Sequence, residues 1–208
     1  MIFAAIGNID GHDIALEGAL QSIEEMGIHT IVHTGNAVVG AQGGNKIMDL
    51  LAEFSVTCVQ GDRDRLAVRY SRKQESLEKK LDEGMLKSLR WSHENLSSQN
   101  LELIRDWRKA RNLELENLAV FLCHGSPGNR REILTAETPM VKLQRQREIA
   151  QADIIICGGS DEPFTKYVDD TLFVSPGSLQ AEDGTVSYAL INTEEKPWSA
   201  TMEPVSLA

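Results

Sequence analysis

Cysteine is scarce in this chain. Cys58, Cys123 and Cys157 are an odd number, far apart, and each lies in or at the end of an apolar run. A disulfide framework is therefore excluded, and no two of them have the spacing of a zinc–thiolate site. Buried, reduced thiols are expected, and with them a cytoplasmic location. No apolar run approaches the roughly 20 residues of a membrane span. Met1–Ile6 lacks the basic flank of a signal peptide, and polar Asn8 and Asp10 cut the run short. Internal repeats and low-complexity tracts are absent. An excess of positive charge is also missing: the formal net charge is −10, which argues against general nucleic-acid binding.

What the chain does have is length and segregated charge. Its 208 residues suffice for one domain, residues 1–208, with a real core. Between Arg63 and Arg111, 13 Lys/Arg face 8 Asp/Glu, a local balance of +5 that leaves −15 on the remainder. That middle stretch is a separate electrostatic region.

Periodicity predicts a strand over 2–6, then a helix with Leu16, Ala19, Leu20, Ile23 and Met26 on one face, stopped by Gly27. A strand over 28–33, a glycine-rich loop, a helix through Ile47, Leu50, Leu51 and Phe54, and a strand over 56–59 follow. Alternating strands and helices imply a parallel sheet, whose functional loops gather at the carboxyl ends of the strands. The basic segment, about 66–112, reads as a helical hairpin with Ser97 as an N-cap. Its charges are expected to form a solvated face. Further strands are predicted at 118–123, 153–157, 171–174 and 185–191, with one helix between Pro139 and Gln151. The expected architecture is α/β, a four-layer α/β/β/α sandwich of two facing mixed sheets.

Five polar motifs each end an apolar run: Gly7-Asn8-Ile9-Asp10-Gly11-His12, Gly35-Asn36, Gly61-Asp62-Arg63-Asp64, His124-Gly125-Ser126-Pro127 and Gly158-Gly159-Ser160-Asp161. Ser175-Pro176-Gly177-Ser178 closes the series. In order and spacing they resemble the calcineurin-like metallophosphoesterases, in particular the small bacterial and archaeal phosphodiesterase-like branch. In that family two divalent metals share a bridging aspartate and activate a water for attack on phosphorus. The resemblance places the family's metal positions at Asn8, Asp10, Asn36, Asp62, His124, Gly159 and Asp161, and its catalytic histidine at Arg63. Only His124 keeps a family ligand identity.

The departures have chemical consequences. A bridging ligand offers anionic oxygen to two cations, whereas the Asn36 amide has one carbonyl oxygen and an NH₂ that only donates. Gly159 removes a ligand altogether. Arg63 stays protonated, so it stabilises phosphate charge without shuttling a proton. Asp10, Asp62 and Asp161 then converge, and like charges at close range call for a cation. Either a single hard divalent ion, manganese, magnesium or calcium, sits in this oxygen-rich shell, or the Arg63 guanidinium replaces the metals among the aspartates. A two-metal site is not expected. If the guanidinium takes that place, Arg63→Ala is expected to cost about 3 to 5 kcal/mol, as when a buried ion pair loses one partner.

The function expected is that of a binding or regulatory pseudoenzyme, with Arg63 and His124 vestigial or holding a phosphate-bearing small molecule. A protein partner at the basic hairpin is a further possibility, while nucleic acid and membrane are not expected partners. The rival is an active phosphoesterase with a rewired single-metal site on Asp10, Asp62, Asp161 and His124. Among lesser candidates, His12 at the mouth of the first helix reads as helix-terminal or solvent-facing, with a stand-in proton donor as the alternative, and His29, His33 and His93 read as structural or surface residues. Ser126 lacks a nucleophile elbow. The loop from Gly40 to Gly44 could cradle phosphate through its amides.

Overall fold

The computed structural model describes residues 1–179 and 186–205. Two five-stranded sheets pack face to face. The first has the order β10-β9-β1-β2-β3 and the second β4-β5-β6-β8-β7. In chain order the elements are β1 (Ile2–Ile6), α1 (Asp13–Glu25), β2 (Ile31–His33), α2 (Gly44–Glu53), β3 (Thr57–Cys58), α3 (Asp62–Glu78), α4 (Glu83–Asn95), α5 (Ser98–Asp106), β4 (Ala110–Leu115), β5 (Leu118–Cys123), α6 (Met140–Ala150), β6 (Ile154–Cys157), β7 (Phe164–Val168), β8 (Thr171–Ser175), β9 (Ser187–Asn192) and β10 (Ser199–Pro204).

The period of two in the strands creates the layers. In β1, Phe3 and Ala5 point to the second sheet and join Val120, Leu122, Ile154, Ile156 and Val174 in the inter-sheet core. Ala4 and Ile6 point the other way, onto Leu16, Leu20, Ile47 and Leu51 of α1 and α2. On the far side of the second sheet, Ile155, Cys157 and Phe173 pack with Leu143 and Ala150 of α6. The result is the α/β/β/α sandwich, with both sheets mixed because β9, β10, β4 and β7 run antiparallel to their neighbours.

The helical region differs from the expected hairpin. It is three helices, begins at Asp62 rather than near 66, and ends before 110, where edge strand β4 starts. Asp82 caps α4 by accepting from Met85 N, and Ser97 caps α5 by accepting from Asn100 N, as expected. Leu77, Leu89 and Ile104 anchor the three helices to the first sheet's core. Met26 lies past the end of α1 and is largely exposed, so it does not share that helix's buried face. The predicted strand at 185–191 is β9, and its residue 185 lies outside the described residues. All three cysteines are free and buried, and burial pushes the Cys157 thiol up to about 12. No described helix is long and apolar enough to cross a membrane.

Candidate functional site

The parallel strands β1, β2 and β3 of the first sheet and β5, β6 and β8 of the second end at one rim of the sandwich. The loops after them carry all six polar motifs. Contacts across the two sheets tie this rim together: Asn8 bridges to Ser178, His124 Nδ1 donates to the Thr34 carbonyl at 2.8 Å, and a Cβ on Gly158 would overlap the Thr34 side chain. Glycine at 158 is what lets the two loops touch.

The expected site residues do come together, in two linked strings. In the first, Arg63 Nη1 lies 2.8 Å from Asp10 Oδ1, with side chains 33% and 15% exposed respectively. Burial pushes the Asp10 carboxyl up to about 6, against the pull of Arg63. Asn8 Nδ2 donates to Asp161 Oδ1 at 3.1 Å, while Asn8 Oδ1 is buried without a hydrogen-bond partner. In the second, Arg63 N donates to Asn36 Oδ1 at 3.1 Å and to Asp62 Oδ1 at 2.8 Å. Asp62 Oδ1 also meets His124 Nε2 at 3.3 Å. That contact is the main reason the Asp62 carboxyl is held down at about 2.

The tautomer of His124 follows from Thr34. A carbonyl only accepts, so Nδ1 carries a proton, and Nε2 is left facing the site. As an imidazolium it donates to Asp62; as a neutral ring it presents a lone pair there. This second arrangement is how metal-binding histidines are oriented by a backbone carbonyl.

Several features work against two neighbouring cations. The Asn36 carbonyl oxygen already accepts from Arg63 N. At Gly159, φ is +81° and the Ile133 methyl occupies the place of any Cβ, about where a ligand side chain would emerge 3.5 Å from His124 Nε2. Among the described residues no group of three or more His, Cys, Asp or Glu is gathered closely enough to hold a metal.

Two residues with local roles had no assignment in the sequence reading. Asp64 is fully buried and accepts from the backbone N–H groups of Asn36, Ala37 and Gly61 at 2.8, 2.8 and 2.9 Å. It thereby closes the α3 N-terminus and pins the loop after β2, holding Asn36 at φ +62°. Aspartate three residues after a helix-capping glycine is the signal that marks it. Ile133 carries no such signal, since only folding brings it to Gly159.

The lesser candidates resolve plainly. His12 sits at the α1 N-terminus without a cap hydrogen bond, and His93 Nδ1 donates to the Ala67 carbonyl. Ser126 Oγ donates to Glu132. The glycine-rich loop does not present its amides as a cradle, because Ala41 N and Gly43 N donate to the carbonyls of Asp10 and Gly11.

His33, expected to be structural or at the surface, is fully buried, with Nδ1 donating to the Ile6 carbonyl. Burial pushes it down from 6.5 to about 4. The folded state therefore keeps it neutral while the unfolded chain takes up a proton. Its contribution to stability is complete above pH 6.5 and is lost as pH falls towards 4. Asp10 acts in the opposite sense in the same window, since its raised value favours the folded state as pH falls. Urea unfolding from pH 7 to 4.5 is expected to show a smaller loss of stability in His33→Leu than in the wild type; equal slopes would contradict the neutral burial of His33.

With this geometry in view, the calcineurin-like phosphoesterase superfamily domain matches residues 5–196, and the chain belongs to that superfamily. A hypothetical protein of Pyrococcus horikoshii is similar in fold, with a TM-score of 0.89 at 19% identity, covering 100% of this chain and 88% of its own. A metallophosphoesterase of Sphaerobacter thermophilus gives a TM-score of 0.77 at 15% identity, with coverage of 100% and 90%. An archaeal phosphodiesterase gives 0.58 at 14%, with coverage of 98% and 100%. At these identities the likeness is one of fold. No curated protein matches the chain in sequence.

Proposed function

We propose that this chain is a binding or regulatory member of its superfamily in which an internal cation has replaced the dinuclear metal centre. One observation carries the reading: Arg63 stands in the former catalytic position and lies 2.8 Å from Asp10. It puts positive charge among the carboxylates where two metals would otherwise balance them. The engaged Asn36 oxygen and the filled space at Gly159 support the same conclusion. Two divalent ions do not fit these residues.

A second reading has its own support. Asn8 Oδ1 is a buried acceptor without a partner, and His124 is oriented with Nε2 inward. With Asp10 and Asp161 they are donors of the kind that suit one hard cation, manganese, magnesium or calcium, and an active phosphoesterase with a rewired site would require them to draw closer than they stand here.

An assay of a generic phosphodiester with added manganese separates the two. Under the first reading the rate equals that of buffer with metal. Manganese-dependent turnover that disappears in Asp62→Ala and Asp161→Ala would establish the second.

A further inference from the structure

Around Arg63 the guanidinium is already engaged by the Asp10 carboxylate, so the ligand of a binding protein is better sought elsewhere. Past Asp62, the one carboxylate in its lining against six cations, the chain forms a groove of about 290 Å³. One wall is the face of α3 that carries Arg65, Arg69 and Lys73, each four residues after the last, with Lys80 just beyond the helix. The other wall is Arg130 and Arg131, from the loop after β5. Leu66, Leu77 and Leu81 supply an apolar floor.

Among the described residues, none of these six cations forms an ion pair with a carboxylate. Arg130 reaches only the neutral Gln60 side chain, at 3.4 Å. Like charges one helical turn apart destabilise a helix, and burial together with neighbouring arginines pushes both Arg65 and Arg130 down from their ordinary value. In the free protein these like charges carry a small repulsive cost. A bound anion would reverse that cost.

We infer that the groove binds a small molecule carrying two or more phosphate groups. Cations four residues apart on α3 are separated by about 6 Å along the axis, so a lone phosphate engages one of them, whereas a chain of phosphates reaches Arg65, Arg69 and the opposite arginine wall together. Guanidinium groups suit phosphate oxygens because they donate in a planar fork. The volume lies just under the roughly 300–1,000 Å³ of small-ligand sites, which fits a nucleoside polyphosphate or inorganic oligophosphate rather than a folded partner. The leucine floor adds a place for an apolar or planar group. This rests on the binding reading in one respect, that the ligand is held and not cleaved.

Calorimetric titration with tripolyphosphate and with ATP at low ionic strength, alongside inorganic phosphate, tests the groove. Tripolyphosphate and ATP are expected to bind, phosphate far more weakly, and affinity to fall as salt rises. Tighter ATP binding assigns the leucine floor to the base; equal affinities assign recognition to the phosphates alone. The double variant Arg69→Gln, Arg130→Gln, with its fold checked by circular dichroism, is expected to bind at least about tenfold more weakly. Absence of binding by both probes, unchanged affinity in the variant, or binding of DNA alone would overturn the proposal. Phosphorus NMR of the same mixtures keeps the two questions apart: cleavage products with intact groove dependence would sink the binding reading and leave the groove standing.

Discussion

Asp64→Ala is expected to lower the unfolding free energy by at least about 4 kcal/mol, a large fraction of the 5 to 15 kcal/mol typical of a whole domain. The carboxylate is fully buried and serves the amides of Asn36, Ala37, Gly61 and, at 3.4 Å, Val38. Its removal strands several buried donors at about 1 to 3 kcal/mol each. Asp64→Asn is not expected to rescue, because the amide has one acceptor oxygen and turns an NH₂ towards backbone N–H groups. Asp62, two residues earlier, is half-exposed, and Asp62→Ala is expected to cost far less. Urea unfolding of the three variants checks this. An Asp64→Ala loss below about 1.5 kcal/mol would mean that the clamp does not hold the β2 loop.

Arg63→Ala is expected to destabilise the fold and, unlike the wild type, to gain stabilisation from manganese. The Arg63 side chain is a third exposed, so the cost is set at about 2 kcal/mol, below the 3 to 5 kcal/mol of a fully buried pair. For a chain of this size that corresponds to a fall of about 4 to 8 °C in Tm. Without the guanidinium, Asp10 loses its ion-pair partner, and a divalent ion can take the vacated place beside it. Binding at a hundred times its Kd returns about 2.7 kcal/mol. The measurement is thermal unfolding at pH 8, above the value of about 6 to which burial pushes Asp10. A loss below about half a kcal/mol, or equal manganese stabilisation of both proteins, would remove Arg63 from the role assigned to it.

The rim was legible in the sequence because most of its loops follow largely buried strands, which read as unbroken apolar runs: Ile2–Ile6, Leu118–Cys123 and Ile154–Cys157. The edge strands β4 and β7 were not. β4 (Ala110–Leu115) carries Arg111 and Glu114 inside a basic stretch and β7 carries Thr165 and Lys166, since edge strands keep one face in solvent. The break between α3 and α4 at Lys79–Asp82 has no glycine or proline to announce it. At the site, residue types fixed which groups could meet but not which did. That Arg63 turns to Asp10, that Ile133 fills the space at Gly159, and that Arg130 and Arg131 face α3 are all consequences of long-range packing. The basic segment reads as a solvated face along the chain, because only the fold sets Arg130 and Arg131 against it.

Metal content tests the central claim most directly. Wild-type protein purified without chelator, then equilibrated with excess manganese and freed of unbound ion, should carry no stoichiometric metal by elemental analysis, with Arg63 still paired to Asp10 in crystals grown from that sample. Two manganese ions per chain, seen as paired anomalous peaks bridged through Asn36, would contradict it.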